Sequence, residues 1–111
     1  MTDVDPAHYT YRVQWIREDE EYVGTVAELP SLSWAAPSQH EALSGITSMV
    51  ESVLEDMVET GERPPQPLSD RVYSGRFVVR VPPETHRRLV IDAAEQHVSL
   101  NRLVSDRLAG V

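Results

Sequence analysis

Cysteine is absent from the 111 residues, which excludes disulfides and cysteine-ligated zinc. Lysine is absent as well, so all ten basic residues are arginine. No apolar run approaches the roughly 20 residues that span a bilayer, and the opening MTDVDPAHY is acidic, without the basic and apolar blocks of a secretory signal. The chain is therefore expected to be soluble and cytoplasmic. Its histidines, His8, His40, His86 and His97, fall at no metal-ligand spacing. No Ser-His-Asp set assembles, Asp19, Glu20 and Glu21 gather in a charged turn, and Glu28 stands alone after a strand. Neither a metal, a cofactor nor an enzymatic activity is expected.

What the chain does have is charge, unevenly spread. Residues 1–70 carry fourteen Asp and Glu against three Arg, a balance of −11, whereas residues 71–111 carry four against seven, a balance of +3; together these give the chain's −8. A basic tail on an acidic body suggests partners of opposite charge, nucleic acid for the tail and a basic protein for the body. The plainer reading, that the acidity only aids solubility, covers a good share of these carboxylates.

The acidic part reads as three strands and a helix. Tyr9–Ile16 alternates, with Tyr9, Tyr11, Val13 and Trp15 on one side. The charged turn REDEE leads to a hairpin partner over Tyr22–Ala27, in which Gly24 marks a bulge or a close approach. Pro30 and Pro37 bracket a third short strand, Leu32–Ala36. Trp15 and Trp34 are either partner-facing anchors or core fillers. SQHE has the form of a capping box, with the Ser38 hydroxyl on the N3 amide and Glu41 reaching back to the Ser38 amide. A helix follows, with Ala42, Leu43, Ile46, Met49, Val50, Val53, Leu54, Met57 and Val58 recurring at three and four, and Gly61 as its stop. Glu51, Glu55, Asp56 and Glu59 lie mostly off that stripe and read first as a solvated face. GERPPQPLSD then reads as a stiff, extended linker.

In the basic part, Arg76–Val81 has the period of a half-buried strand, with Phe77, Val79 and Val81 on one side and Arg76, Val78 and Arg80 on the other. Pro82 ends it, and Pro83 with Glu84 suits a helix start. That helix runs to about Glu95 with Leu89, Val90, Ala93 and Ala94 on its apolar face. Ser99 is the N-cap expected for a second helix carrying Leu100, Leu103, Val104 and Leu108. One strand and two short helices cannot close a core, so a second copy is expected, with Phe77, Val79, Val81, Leu89 and Leu103 in the dimer core. The competing reading is an ordinary edge strand with solvated arginines.

This last third of the chain resembles the ribbon-helix-helix family of DNA-binding dimers. The resemblance implies that a two-stranded ribbon enters the major groove. Arg76, Val78 and Arg80 would then read bases, Val78 by apolar contact alone, and the helix start at Ser99, Leu100 and Asn101 would hold a phosphate. With ELPSLSWAAPSQHEAL and SGRFVVRVPPETHRRL on either side of the proline segment, nearly the whole chain is similar to the HicB family of antitoxins. Membership would imply an α+β chain: a reduced ribonuclease-H-like module over residues 1–62, a linker over 63–73 and a ribbon-helix-helix domain over 74–111. The first module would bind and block a HicA-type mRNA-cleaving toxin, and the second would repress the operon at a palindromic operator. The protein would be a homodimer or a higher homo-oligomer. Two further readings stay open: a ribbon-helix-helix transcriptional regulator without a toxin, and a small metal-dependent nuclease.

Overall fold

A computed structural model describes residues 4–110. The architecture is α+β, divided into two compact units, Met1–Tyr73 and Ser74–Val111. Among the described residues no helix is long and apolar enough to cross a membrane.

The first unit is an antiparallel meander, β1 (Tyr11–Ile16), β2 (Glu21–Val26) and β3 (Ser33–Ala36), followed by α1 (Gln39–Glu59). Register places Val13 and Trp34 on either side of Gly24, and Trp15 and Ala36 on either side of Tyr22. The charged turn lies where the sequence puts it, with Glu20 in the left-handed region at φ +50°. Two strands begin later than their patterns suggest. Tyr9 follows a 3₁₀ turn at Pro6–His8, and Leu32 donates its amide to Leu29 in a turn that delays β3 until Ser33.

The helix starts as its capping residues require. Ser38 Oγ accepts the Glu41 amide at 3.1 Å, but the Glu41 carboxylate accepts from the Ser38 hydroxyl rather than from the Ser38 amide. At the other end Gly61 has φ +80°, and the Glu62 amide reaches Met57 O at 2.8 Å, a Schellman stop. Every fourth residue of the apolar stripe, Ala42, Ile46, Val50 and Leu54, is buried against the sheet, with Tyr9 and Val26 completing the core. Met49 and Met57 pack at its margin, while Leu43 and Val58 are left exposed. Both tryptophans are about half exposed. Trp15 tilts against Tyr22 with ring centroids 5.0 Å apart, and the Trp34 indole occupies the space a Cβ at Gly45 would need.

Gly24 is a close approach rather than a bulge. A Cβ there would lie 2.7 Å from Ala42 O and 2.8 Å from Ile46 Cγ2, so α1 crosses β2 at the one residue that leaves room. Gly24→Ala should push backbone against backbone and cost about 1–3 kcal/mol, read as a lowered midpoint in urea denaturation.

Candidate functional site

The proline-rich segment from Arg63 to Tyr73, interrupted by a 3₁₀ turn at Leu68–Asp70, is fastened to the first unit. Pro64 and Pro67 are buried, and the Tyr9 hydroxyl donates to Pro65 O at 2.7 Å. Glu28 is the chief fastener. Its carboxylate accepts the Leu68 amide at 2.9 Å, the Thr10 amide at 2.9 Å and the Thr10 hydroxyl at 3.2 Å, joining three stretches of chain. Burial alone would raise the Glu28 carboxyl, but the Leu68 and Thr10 donors outweigh it and hold the group below the ordinary carboxylate value. A second tie pairs His8 Nδ1 with Asp70 Oδ2 at 2.8 Å, and the Asp70 carboxylate raises the imidazole above its ordinary value. Beyond it, Arg71 donates to Gln66 O at 2.9 and 3.1 Å, and the Tyr73 hydroxyl to Leu68 O. The sequence marks none of these pairings, since Thr10, Glu28 and Leu68 share no period.

The second unit holds the residues predicted to meet DNA. α2 (Pro83–Glu95) opens on the proline pair, and the Thr85 and His86 amides return to Pro82 O at 2.9 and 3.1 Å. It closes on a Schellman turn built on His97, at φ +57° where glycine is usual, with the Val98 amide on Ala93 O at 3.0 Å. Ser99 then caps α3 (Leu100–Leu108), its hydroxyl accepting the Arg102 amide at 3.0 Å. The first-turn amides of Leu100 and Asn101 precede any intrahelical acceptor, so the start of α3 presents N–H groups and the positive dipole end. Arg107 and Asp92, 2.9 Å apart, link the two helices.

Arg76–Val81 forms no strand within one chain. A strand needs a partner for its amides and carbonyls, and a single copy supplies none there. All six residues are exposed, Phe77 at 73 %, Val78 at 91 % and Val79 at 61 %. Of the predicted dimer core, Leu103 is already buried within one chain and Leu89 is half-buried, leaving Phe77, Val79 and Val81 open. Val79, Leu100, Val104 and Leu108 line a shallow apolar recess of about 650 Å³. Among the described residues no carboxylate pairs with Arg76, Arg80, Arg87 or Arg88. Nor do three His, Asp or Glu side chains converge as metal ligands among the described residues.

The ties at Glu28 and His8 carry opposite pH dependence. A lowered Glu28 value means that its contribution is present above the ordinary 4.5 and is lost as pH falls through the lowered value. A raised His8 value means the reverse: its contribution is complete below the ordinary 6.5 and is lost as pH rises through the raised value. Thermal unfolding across pH should therefore separate them. Glu28→Ala should cost about 1–2 kcal/mol at pH 7, at the low end for hydrogen bonds to a charged group because the site is partly solvated, and the gap to wild type should close in acid. For His8→Ala the gap should be present at pH 6 and close as pH rises.

A family model described as HicB family matches residues 58–108, from the last turn of α1 through the docked proline segment and both C-terminal helices. No curated protein and no solved structure matches the chain. The matched stretch, a little under half of the chain, holds the fastened segment, the exposed arginine-valine run and the capped helix pair together, and over it the chain is similar to the HicB family.

Proposed function

We propose that the protein is a non-catalytic, cytoplasmic antitoxin that neutralises a HicA-type mRNA-cleaving toxin by direct binding and represses its own operon. The similarity to the HicB family over residues 58–108 supports an association with toxin–antitoxin systems and suggests the toxin partner. The repressor half rests on one observation. Among the described residues the second unit buries only Ala93 and Leu103, while Phe77 and Val79 stand mostly in solvent beside unpaired arginines.

Antiparallel pairing of two copies through residues 76–81 meets both needs of that segment. It supplies ladder partners for the backbone and covers Phe77, Val79 and Val81 against the helices. Each such side chain contributes about 1.5–3 kcal/mol when fully buried. Six of them are of the size needed to offset an association cost of about 4–15 kcal/mol. In the resulting ribbon Arg76 and Arg80 face the major groove and accept the role of base readers, with Val78 suited to a thymine methyl. The α3 starts at Ser99, Leu100 and Asn101 take flanking phosphates. Two-fold symmetry makes the operator palindromic, and the acidic first unit is left to meet a basic toxin.

A second reading, a ribbon-helix-helix regulator without a toxin, draws on the limits of the family match, which begins at Val58 and leaves the whole sheet outside. Co-purification of a small basic protein encoded beside this gene separates the two.

The repressor half is tested by mobility shift on the upstream DNA of the gene. Wild type should give a sequence-specific, salt-sensitive shift, and Arg76→Ala/Arg80→Ala should weaken it by a hundredfold or more, from about 1–3 kcal/mol per arginine. Phe77→Asp should leave a monomer by light scattering and remove the shift. An unaltered operator affinity in the arginine double variant would sink the ribbon assignment.

A further inference from the structure

The first unit carries a groove at the margin of its core. Leu54, Val58, Val4 and Pro6 make its apolar surface, and Glu51, Glu55 and Glu59 stand along it on α1; its volume is about 570 Å³. Val58 is 41 % exposed although it continues the apolar stripe of a helix otherwise turned to the sheet. The three glutamates are exposed, four residues apart, and so rise one turn at a time on one side of the helix.

Their electrostatic setting is unfavourable in the isolated chain. Like charges at i, i+4 destabilise a helix, and negative charge near a helix C-terminus opposes the dipole. Glu55, Asp56 and Glu59 all lie in the last two turns of α1, and no Lys or Arg occurs anywhere in its 21 residues. Among the described residues none of Glu51, Glu55 and Glu59 has an ion-pair partner. A solubilising face would be served by mixed charge, with intrahelical pairs supporting the helix. This one is of a single sign, is placed against the dipole and flanks exposed apolar surface. Local rules broken in this way without internal compensation are characteristic of functional surfaces.

We infer that this groove is the docking surface for a basic amphipathic segment of a partner protein. Apolar side chains of that segment cover Val58 and Pro6 above the buried Leu54, and arginines or lysines spaced one helical turn apart meet Glu51, Glu55 and Glu59. Nucleic acid is repelled by the same carboxylates. The inference rests on the reading of the protein as an antitoxin with a small basic partner, and it assigns the face of the first unit that the partner contacts.

The test is titration calorimetry of the full-length chain with the HicA-type protein encoded in its operon, at 50 and 500 mM NaCl. Glu51→Gln/Glu55→Gln/Glu59→Gln should keep or raise the thermal midpoint, because it removes like-charge and dipole conflict, and yet weaken binding at least thirtyfold at low salt. Glu18→Gln/Asp19→Asn/Glu20→Gln removes the same charge from the β1–β2 turn and should stay within threefold of wild type. Val58→Ser should weaken binding about tenfold at both salt concentrations. Equal losses in the two triple variants would reduce the effect to overall acidity and overturn the groove. Binding unchanged in the α1 variant would overturn the groove while leaving the antitoxin reading intact. A change in the variant's self-association by light scattering would assign the groove to a second copy and overturn the basic partner. No binding by wild type would remove the antitoxin reading and this inference together.

Discussion

Burial of one helical row against the sheet governs the first unit. Ala42 and Ile46 come down on β2 because Gly24 leaves a gap no side chain fills, and Val50 and Leu54 continue the buried row. With the helix that close, the sheet needs no second layer on that side. The termini of the strands are then positioned by what the helix covers. Tyr9 turns inward at the end of the 3₁₀ turn, and its hydroxyl becomes the acceptor-seeking group that catches Pro65. Glu28, just past β2, finishes the capture of the proline segment. The path of the chain from α1 to Tyr73 therefore follows from packing and from a few hydrogen bonds, since proline contributes no donor of its own.

The two units differ in how much of their structure one copy completes. The first has a contiguous core and satisfied helix ends. The second has well-formed helices, closed at their turns by Ser99 and His97, around the buried Ala93 and Leu103. Local signals suffice for helices, because capping and i to i+4 bonding are internal to the segment. They do not suffice for a strand, whose hydrogen bonds lie outside it. The uneven charge follows the same division, with arginines gathered where the apolar surface is unfinished.

Periodicity and punctuation made most of the elements legible. The hairpin, the Ser38 cap, the Gly61 stop and both C-terminal helices lie within a residue or two of where alternation, capping residues and proline place them. Each is a local matter. What escaped the sequence was non-local or substitutional. Glu28 reads as an isolated carboxylate because the amides that bind it come from Thr10 and Leu68, 18 and 40 residues away. Trp34 over Gly45 joins a strand to a helix with no shared period. His97 closes α2 in a conformation normally marked by glycine. For the predicted DNA-contacting residues, the alternation of Arg76–Val81 was visible, but the partner that would turn it into a ladder is not in the chain.

The proline pair after Val81 bears on a hazard of exposing an apolar, unpaired segment. Such segments recruit one another indiscriminately when their backbones can add strand after strand or slide in register. Pro82 and Pro83 offer no amide hydrogens, so a ladder through Phe77 and Val79 stops at Val81. On the other side the chain bends at Gly75, where φ is +81° and the Arg76 amide is taken by Ser74 Oγ. Only about six residues remain for pairing, too few for much slippage, so one well-placed encounter is favoured over open-ended aggregation.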